Sequence, residues 1–124
     1  MKKVIVGLSL STLITFLNAT SVQELIKQNK CMNCHSIIGM KDAPPFAGIA
    51  RHNNHWYGKS KKNIINSIKN GSKGKYPMFS NTQMPAFKHL NKEELNKIAD
   101  WIFSQESNKM HNKDWHCMMH KGSC

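Results

Sequence analysis

The sequence of 124 residues predicts an all-α protein of three to five short helices separated by long loops. Apolar residues recur at intervals of three and four over several stretches, which is the spacing of an amphipathic helix. Nowhere do apolar and polar residues alternate at the period of two that is typical of a strand. Glycine and proline separate the helical stretches, and a chain of this length suggests one domain.

The first and last helices of this domain have clear starting signals. Ser21 to Glu24 forms a capping-box pattern, and the helix that follows is expected to run to about Asn29. The last helix is expected to begin at Asn91 and to continue to about Gln105. Their apolar stripes are Val22, Leu25 and Ile26 in the first helix and Leu95, Ile98, Ala99 and Ile102 in the last.

Two further helices are predicted between these. A short helix starts after Pro45 and turns Phe46 and Ile49 inward. Another is capped at Ser60 and ends at Gly71. Its apolar face consists of Ile64, Ile65 and Ile68.

Residues 1–20 have the pattern of a secretory leader. Lys2 and Lys3 form a positive start, an apolar run follows, and small residues place the cleavage site near Ala19 to Ser21. The competing interpretation is an uncleaved membrane anchor, but the apolar run of about 14 residues is shorter than the roughly 20 that span a bilayer. We therefore expect export to a bacterial periplasm, with no membrane span after cleavage.

The formal charge is +11, and a chain without Lys2 and Lys3 keeps +9. Such a balance favours an acidic partner surface, nucleic acid or anionic lipid. Export argues against nucleic acid, and the lysines are dispersed instead of being collected in one basic helix. The alternative explanation is that the positive charge serves only to keep the protein soluble.

The segment CMNCH, residues 31–35, is the strongest chemical signal. A structural zinc site needs two ligand pairs, and Cys117 and Cys124 are spaced too widely to be the second pair. A thioredoxin-like dithiol follows a strand, whereas a helix precedes this motif. The remaining interpretation is covalent haem: Cys31 and Cys34 form thioethers, and His35 ligates the iron.

A second axial ligand is expected if the haem carries electrons without binding small molecules. The candidates are Met40, Met78, Met84, His52, His55, His89 and the C-terminal residues. Met84 is favoured because it lies about fifty residues beyond His35, far enough for the chain to reach the opposite haem face. Pro85 stiffens its loop, and the last helix follows and can brace it. Met40 is too near the proximal ligand, and His89 is the competing candidate.

Residues 21–105 resemble a small bacterial class I cytochrome c with one His/Met-ligated haem. The matching pieces are CMNCH, APPF, IKNGSKGKY, MPAF and ELNKIADWIFSQ, in the family's order and spacing. The resemblance implies the class I cytochrome c fold wrapped around one haem c. It also implies that Cys31 and Cys34 hold the haem, with His35 and Met84 as its axial ligands.

The same resemblance implies two further roles. The Pro44 carbonyl would accept a hydrogen bond from His35, which fixes the imidazole orientation. Tyr76 stands where many members have a tryptophan near a haem propionate; the alternative is a half-buried loop aromatic. The helix containing Trp101 should cross the helix containing Leu25. The expected haem shell and core are Phe46, Ile49, Trp56, Ile64, Ile68, Phe79, Leu95, Ile98 and Ile102.

The primary functional hypothesis is a monomeric periplasmic electron carrier and not an enzyme. It would shuttle single electrons between respiratory redox partners with acidic surfaces. One alternative is the haem subunit of a larger periplasmic oxidoreductase. The other is a peroxidase-type enzyme, which would need the open iron position that Met84 would occupy.

Residues 106–124 lie outside the resemblance and form a polar tail rich in cysteine, histidine and methionine. Cys117 and Cys124 are expected to pair as a disulfide on a flexible end. Copper binding by the tail is the alternative. His52 and His55 could share a metal, although surface histidines are commoner.

Overall fold

The computed structural model describes residues 19–120. Most of the predicted leader and Cys124 therefore lie outside the described residues. The helices are α1 (Val22–Gln28), α2 (Cys31–Cys34), α3 (Phe46–Tyr57), α4 (Lys61–Asn70), α5 (Lys92–Ser104) and α6 (Asn112–Met119). The antiparallel two-residue strands are β1 (Ser72–Lys73) and β2 (Gln83–Met84). Single 3-10 turns occupy Pro77–Phe79 and Gln105–Ser107.

Helix α5 is the centre of the fold, because α1, α3 and α4 all pack against it. Its start has a complete capping box, in which Asn91 Oδ1 accepts from the Glu94 amide while the Glu94 carboxylate accepts from the Asn91 amide. The main core cluster joins α5 to α1, so these two helices pack against each other, as a crossing of the two requires. Both helices end within one residue of the predicted positions.

Two details of the middle helices differ from the sequence analysis. Ser60 occupies the N-cap position of α4, but its side chain makes no capping hydrogen bond. Helix α3 has 12 residues and is longer than the short helix predicted. Its last turn extends beyond the packed core, so Trp56 is 61% exposed and its assignment to the core is wrong.

The predicted polar tail contains a packed helix, α6. Met118 is fully buried against the turn Pro77–Phe79 and against Gly48 of α3. A side chain at Gly48 would place its Cβ 2.8 Å from the Met118 sulfur, so the absence of one makes room for α6. The described residues contain six α-helices, one above the upper end of the expected three to five, because α2 and α6 were not among the helices predicted individually.

Between residues 19 and 120, no helix is both long enough and apolar enough to cross a bilayer.

Candidate functional site

A cavity of about 380 Å³ lies among α1, α2, α3, α4, α5 and the loop before α5. Cys31, Cys34, His35 and Met84 all line it, although Met84 is far from the other three in sequence. The remaining walls are largely apolar and come from every long helix of the core. They include Ile26, Phe46, Ile64, Ile68, Leu90 and Ile98.

The two cysteines lie on the single turn of α2. Lys30 precedes this turn in a left-handed conformation, with φ of 54°, and lets the chain reverse out of α1. Residues three apart on a helical turn lie on one side of it, so both thiols can reach the same ligand. Neither cysteine is in a disulfide, so both are available for covalent attachment of a ligand. Cys31 is the more buried, and burial raises the pKa of its thiol.

His35 follows α2 directly and points into the core at 8% exposure. Its Nδ1–H donates to the Pro44 carbonyl oxygen at 2.6 Å, and its ring stacks on Phe46 at 4.8 Å between centroids. Burial lowers the pKa of this imidazole, and the hydrogen bond to Pro44 opposes that shift only in part. The ring is therefore held neutral, and Nε2 is the nitrogen left for a metal.

The loop between His35 and α3 fixes the position of the Pro44 carbonyl. The amide of Ala43 donates to the Cys34 carbonyl at 3.0 Å, and the amide of Phe46 donates to the Ser36 carbonyl at 2.8 Å. These backbone bonds tie the two ends of the APPF segment to Cys34 and Ser36, on either side of His35. The imidazole orientation is therefore set by the backbone of its own loop.

Met84 is held in place by the end of α4. It pairs with Ser72 across the two short strands, and the Phe87 amide donates to the Ile68 carbonyl at 2.9 Å. Gly71 has a φ of 78°, and a Cβ there would lie 2.8 Å from the Met84 carbonyl oxygen. Glycine is needed at this position both for the turn and for the close approach of the Met84 loop.

A polar network that the sequence analysis missed forms part of the cavity wall. Asn53 has no exposed surface, and its side chain accepts a hydrogen bond from Asn63 at 2.9 Å and bonds to the Tyr76 phenol. Lys75 Nζ donates to Asn63 at 3.1 Å and to Ser67 at 2.8 Å. The sequence did contain one signal of this network, because Asn53 lies on the apolar face of α3. A buried amide requires hydrogen-bond partners, so polar residues were to be expected next to it.

Tyr76 is buried and lines the same wall, where its ring meets His52 edge-on at 4.9 Å. Burial raises the phenol pKa, with a further contribution from Tyr57, while the Asn53 bond acts in the opposite direction. The phenol therefore stays protonated at neutral pH and remains a possible hydrogen-bond donor.

The other candidate ligands lie outside the cavity lining. His89 is exposed, and its Nε2 bonds to Asn29 Oδ1 at 2.8 Å. His52 is buried whereas His55 is exposed, and residues 19–120 contain no group of three potential metal-binding His, Cys, Asp or Glu side chains. Cys117 is buried and disulfide-bonded.

The donors and shape of the cavity fit a covalent haem c. Two cysteines outside any disulfide, a neutral imidazole and a methionine line one largely apolar cavity, and polar residues such as Asn53 and Tyr76 form part of its wall. Ligand cavities of this kind are largely apolar, with a few polar groups that fix the orientation of the ligand.

Comparison with known proteins supports the same assignment. A family model described as cytochrome c matches residues 19–106. Cytochrome c-551 of Pseudomonas denitrificans is 35% identical over 83 residues, which are 64% of this chain and 92% of that protein.

Two solved structures resemble the fold. Nitrosomonas europaea cytochrome c552 has a TM-score of 0.58 and 24% identity, over 67% of this chain and 98% of that one. The class 1 cytochrome MtoD from Sideroxydans lithotrophicus ES-1 has a TM-score of 0.54 and 20% identity, over 69% and 94%. These likenesses confirm the predicted class I cytochrome c fold. The family match spans all of the cavity segments described above, and this chain therefore belongs to the cytochrome c family and carries one covalently bound haem c.

Proposed function

We propose that this protein is a periplasmic electron carrier that passes single electrons between redox partners through a haem c ligated by His35 and Met84. The observation that carries the proposal is the convergence of the CMNCH turn and Met84 on one cavity, with His35 Nδ1 already bonded to Pro44. When bound, the haem supplies a one-electron Fe(III)/Fe(II) couple.

Residues of this chain would hold the haem iron with the same ligands in both oxidation states. Cys31 and Cys34 would anchor the cofactor through two thioether links, one from each thiol to a vinyl group of the haem. His35 presents Nε2, because Nδ1 is bonded to a backbone carbonyl. Met84 presents a thioether, a soft ligand that favours Fe(II), from a loop hydrogen-bonded to α4. Since neither ligand needs to move, each electron transfer requires little rearrangement of the protein.

The polar wall would orient the cofactor and hold its carboxylates. Tyr76 stays protonated and can donate a hydrogen bond, and Lys75 lies in the same lining. The remaining walls are largely apolar and would keep water from most of the bound cofactor. A carboxylate is stable in such a site only where donors or positive charges meet it. This supports placing a haem propionate at the Tyr76 wall.

The decisive experiment is the visible spectrum of the ferric holo-protein. A thioether ligand gives an Fe(III)–sulfur charge-transfer absorption, which we expect in the wild type and expect to be lost in Met84→Ala. The matched control is Met78→Ala, which removes a 41% exposed methionine from the same loop region and should leave the band intact. Absence of the band in the wild type, or its persistence in Met84→Ala, would contradict the ligand assignment.

The remaining parts of the proposal concern location and assembly. Mass analysis of protein recovered from the periplasm should show haem attached and a chain that begins near residues 19 to 21.

Size-exclusion chromatography of native extract should give the size of a monomer. A co-migrating larger complex would instead identify a subunit of an oxidoreductase, and a wild-type protein without the sulfur band would reopen the peroxidase alternative.

A further inference from the structure

Helix α6 and its C-cap residue lie beyond the segment matched by the cytochrome c family and carry a pair of neighbouring histidines. His116 and His120 are one helical turn apart, and both side chains are exposed. Their ring centroids are 4.7 Å apart, with 38° between the ring planes. Neither residue lines the haem cavity, so the electron carrier proposed above has no evident use for them.

We propose that His116 and His120 together chelate one divalent transition-metal ion, with Cu²⁺ bound more tightly than Zn²⁺. Histidines four apart on a helix face the same direction and can bind one ion, as in the zinc motif of metalloproteases. A bound imidazole nitrogen lies about 2.0–2.1 Å from zinc. Rings already in contact need only small side-chain rotations to bring one nitrogen each within that distance of a shared ion.

The backbone holds the two residues close together: His116 lies in the last turn of α6, and His120 is the C-cap residue that follows Met119, with extended dihedrals. The His120 amide donates to the His116 carbonyl at 2.9 Å, which closes the last turn of α6. This turn is the carbonyl end of the helix, where the helix dipole favours a cation. The histidine pair is therefore arranged before any ion arrives.

The helix itself is fixed on the body of the protein. Met118 is fully buried, and the Arg51 guanidinium lies 4.9 Å from the centre of the Trp115 ring. The face of α6 opposite the histidines packs against the rest of the protein, so the helix is already formed before a metal ion binds. Metal binding therefore carries no entropic cost of ordering the helix. The two imidazoles project from this anchored support.

The donor chemistry selects the class of metal. Cys117 is disulfide-bonded and cannot supply a thiolate. Imidazole suits Cu²⁺, Ni²⁺ and Zn²⁺, and among these Cu²⁺ forms the most stable complexes. Residues 19–120 contain no cluster of three or more potential metal-binding His, Cys, Asp or Glu side chains. The described pair therefore supplies two ligands, and the remaining coordination positions fall to water or to another molecule.

The test is calorimetric titration of the ferric holo-protein, with its full C-terminus, using Zn²⁺ and Cu²⁺ in a non-coordinating buffer. We expect His116→Gln and His120→Gln each to weaken binding of either ion at least tenfold, which corresponds to about 1.4 kcal/mol. His111→Gln, which removes an exposed histidine at the start of the same helix, should bind as the wild type does.

Three results would overturn the proposal: no saturable binding by the wild type, wild-type affinity in either single variant, or an equal loss in His111→Gln. The replaced side chains are exposed, and matching thermal unfolding curves would show that the fold is kept. Electron paramagnetic resonance of bound Cu²⁺ should show coupling to imidazole nitrogen that His116→Gln reduces. Unchanged coupling in that variant would also count against the pair. The haem absorption should stay constant throughout, because the pair lies outside the cavity.

Discussion

His52 is a buried histidine with an incomplete set of hydrogen bonds. It is 6% exposed, and its Nδ1 has no hydrogen-bond partner among the described residues. The ring lies 4.9 Å from Tyr76 and 5.6 Å from Tyr57. Burial lowers the imidazole pKa, and the positive charges of Lys75 and His55 lower it further. His52 is therefore neutral at pH 7, and charging it is unfavourable in the folded protein.

We expect His52→Phe to make the protein less sensitive to acid. The wild-type histidine binds a proton more readily when unfolded, so its contribution to stability is complete above the ordinary pKa of 6.5. That contribution decreases as the pH falls from 6.5 toward the lower folded pKa. Phenylalanine removes this titration, so the variant should gain stability relative to the wild type between pH 7.5 and about pH 5.

Denaturant unfolding of the two ferric proteins across this pH range measures the difference in unfolding free energy. His111→Gln, at an exposed position, is the control and should follow the wild-type curve. A constant difference between His52→Phe and the wild type at every pH would contradict the assignment.

At the level of elements, α6 depends on one buried side chain. Met118 has no exposed surface and fills the space above Gly48, against the cluster of Tyr76 and Phe79. Met118→Ala should lower the unfolding free energy by about 2–5 kcal/mol, the usual cost of emptying such a site. Met32→Ala, which truncates a 41% exposed methionine, should change it by less than about 0.5 kcal/mol. If the two variants were equally stable, α6 would not be packed as described.

The starts of α4 and α5 provide a matched comparison of two N-cap positions. Asn91 makes both bonds of a capping box with Glu94, whereas the Ser60 side chain makes no capping bond. Asn91→Ala should therefore destabilise the protein by about 1 kcal/mol, and Ser60→Ala by clearly less. Thermal or denaturant unfolding of the two variants tests this difference. Equal losses would mean that the observed bonds do not determine the capping energy.

Helices with long apolar stripes were predictable, and α6 was not. The spacing of Leu95, Ile98 and Ile102 identifies α5 because it continues over several turns. Helix α6 has only eight residues and is polar on most of its surface. Its stability comes from Met118 meeting Gly48 across a long sequence separation. Such a contact leaves no periodic signal in either segment.

The cavity segments were predictable for a different reason. The CMNCH spacing and the position of Met84 indicate chemistry directly, and the structure places both on the cavity. Their roles as thioether anchors and axial ligands remain predictions for the spectrum to decide. The Asn53–Asn63–Lys75 network was missed because asparagine and lysine are usually found on the protein surface, so their presence does not indicate a buried cluster. Only the packing of α3 against the cavity shows that Asn53 is buried.

At the scale of the whole molecule, the haem cavity is part of the core. Residues from α1, α3, α4 and α5 belong both to the main apolar cluster and to the cavity wall. A single domain of this size buries a modest share of its surface, and a cofactor that fills its centre adds to the core. The covalently bound haem is therefore expected to serve folding as well as electron transfer.

The charge of the whole molecule leads to the final prediction. The chain has 18 basic and 7 acidic residues, and two ion pairs, Lys61–Asp100 and Lys97–Glu93, form within the described part. Most lysines therefore contribute to a net positive field that draws negatively charged reactants toward the protein. We expect oxidation of the ferrous protein by hexacyanoferrate(III), an anion, to slow by about tenfold between roughly 10 and 200 mM salt.

A cationic cobalt(III) phenanthroline complex is the matched control, because the same field repels it. Its rate should rise over the same salt range as screening weakens the repulsion. Stopped-flow absorbance of the haem measures both reactions on one protein preparation. Salt-independent rates with both reagents would show that the lysines do not steer reactants and that the positive charge serves solubility instead.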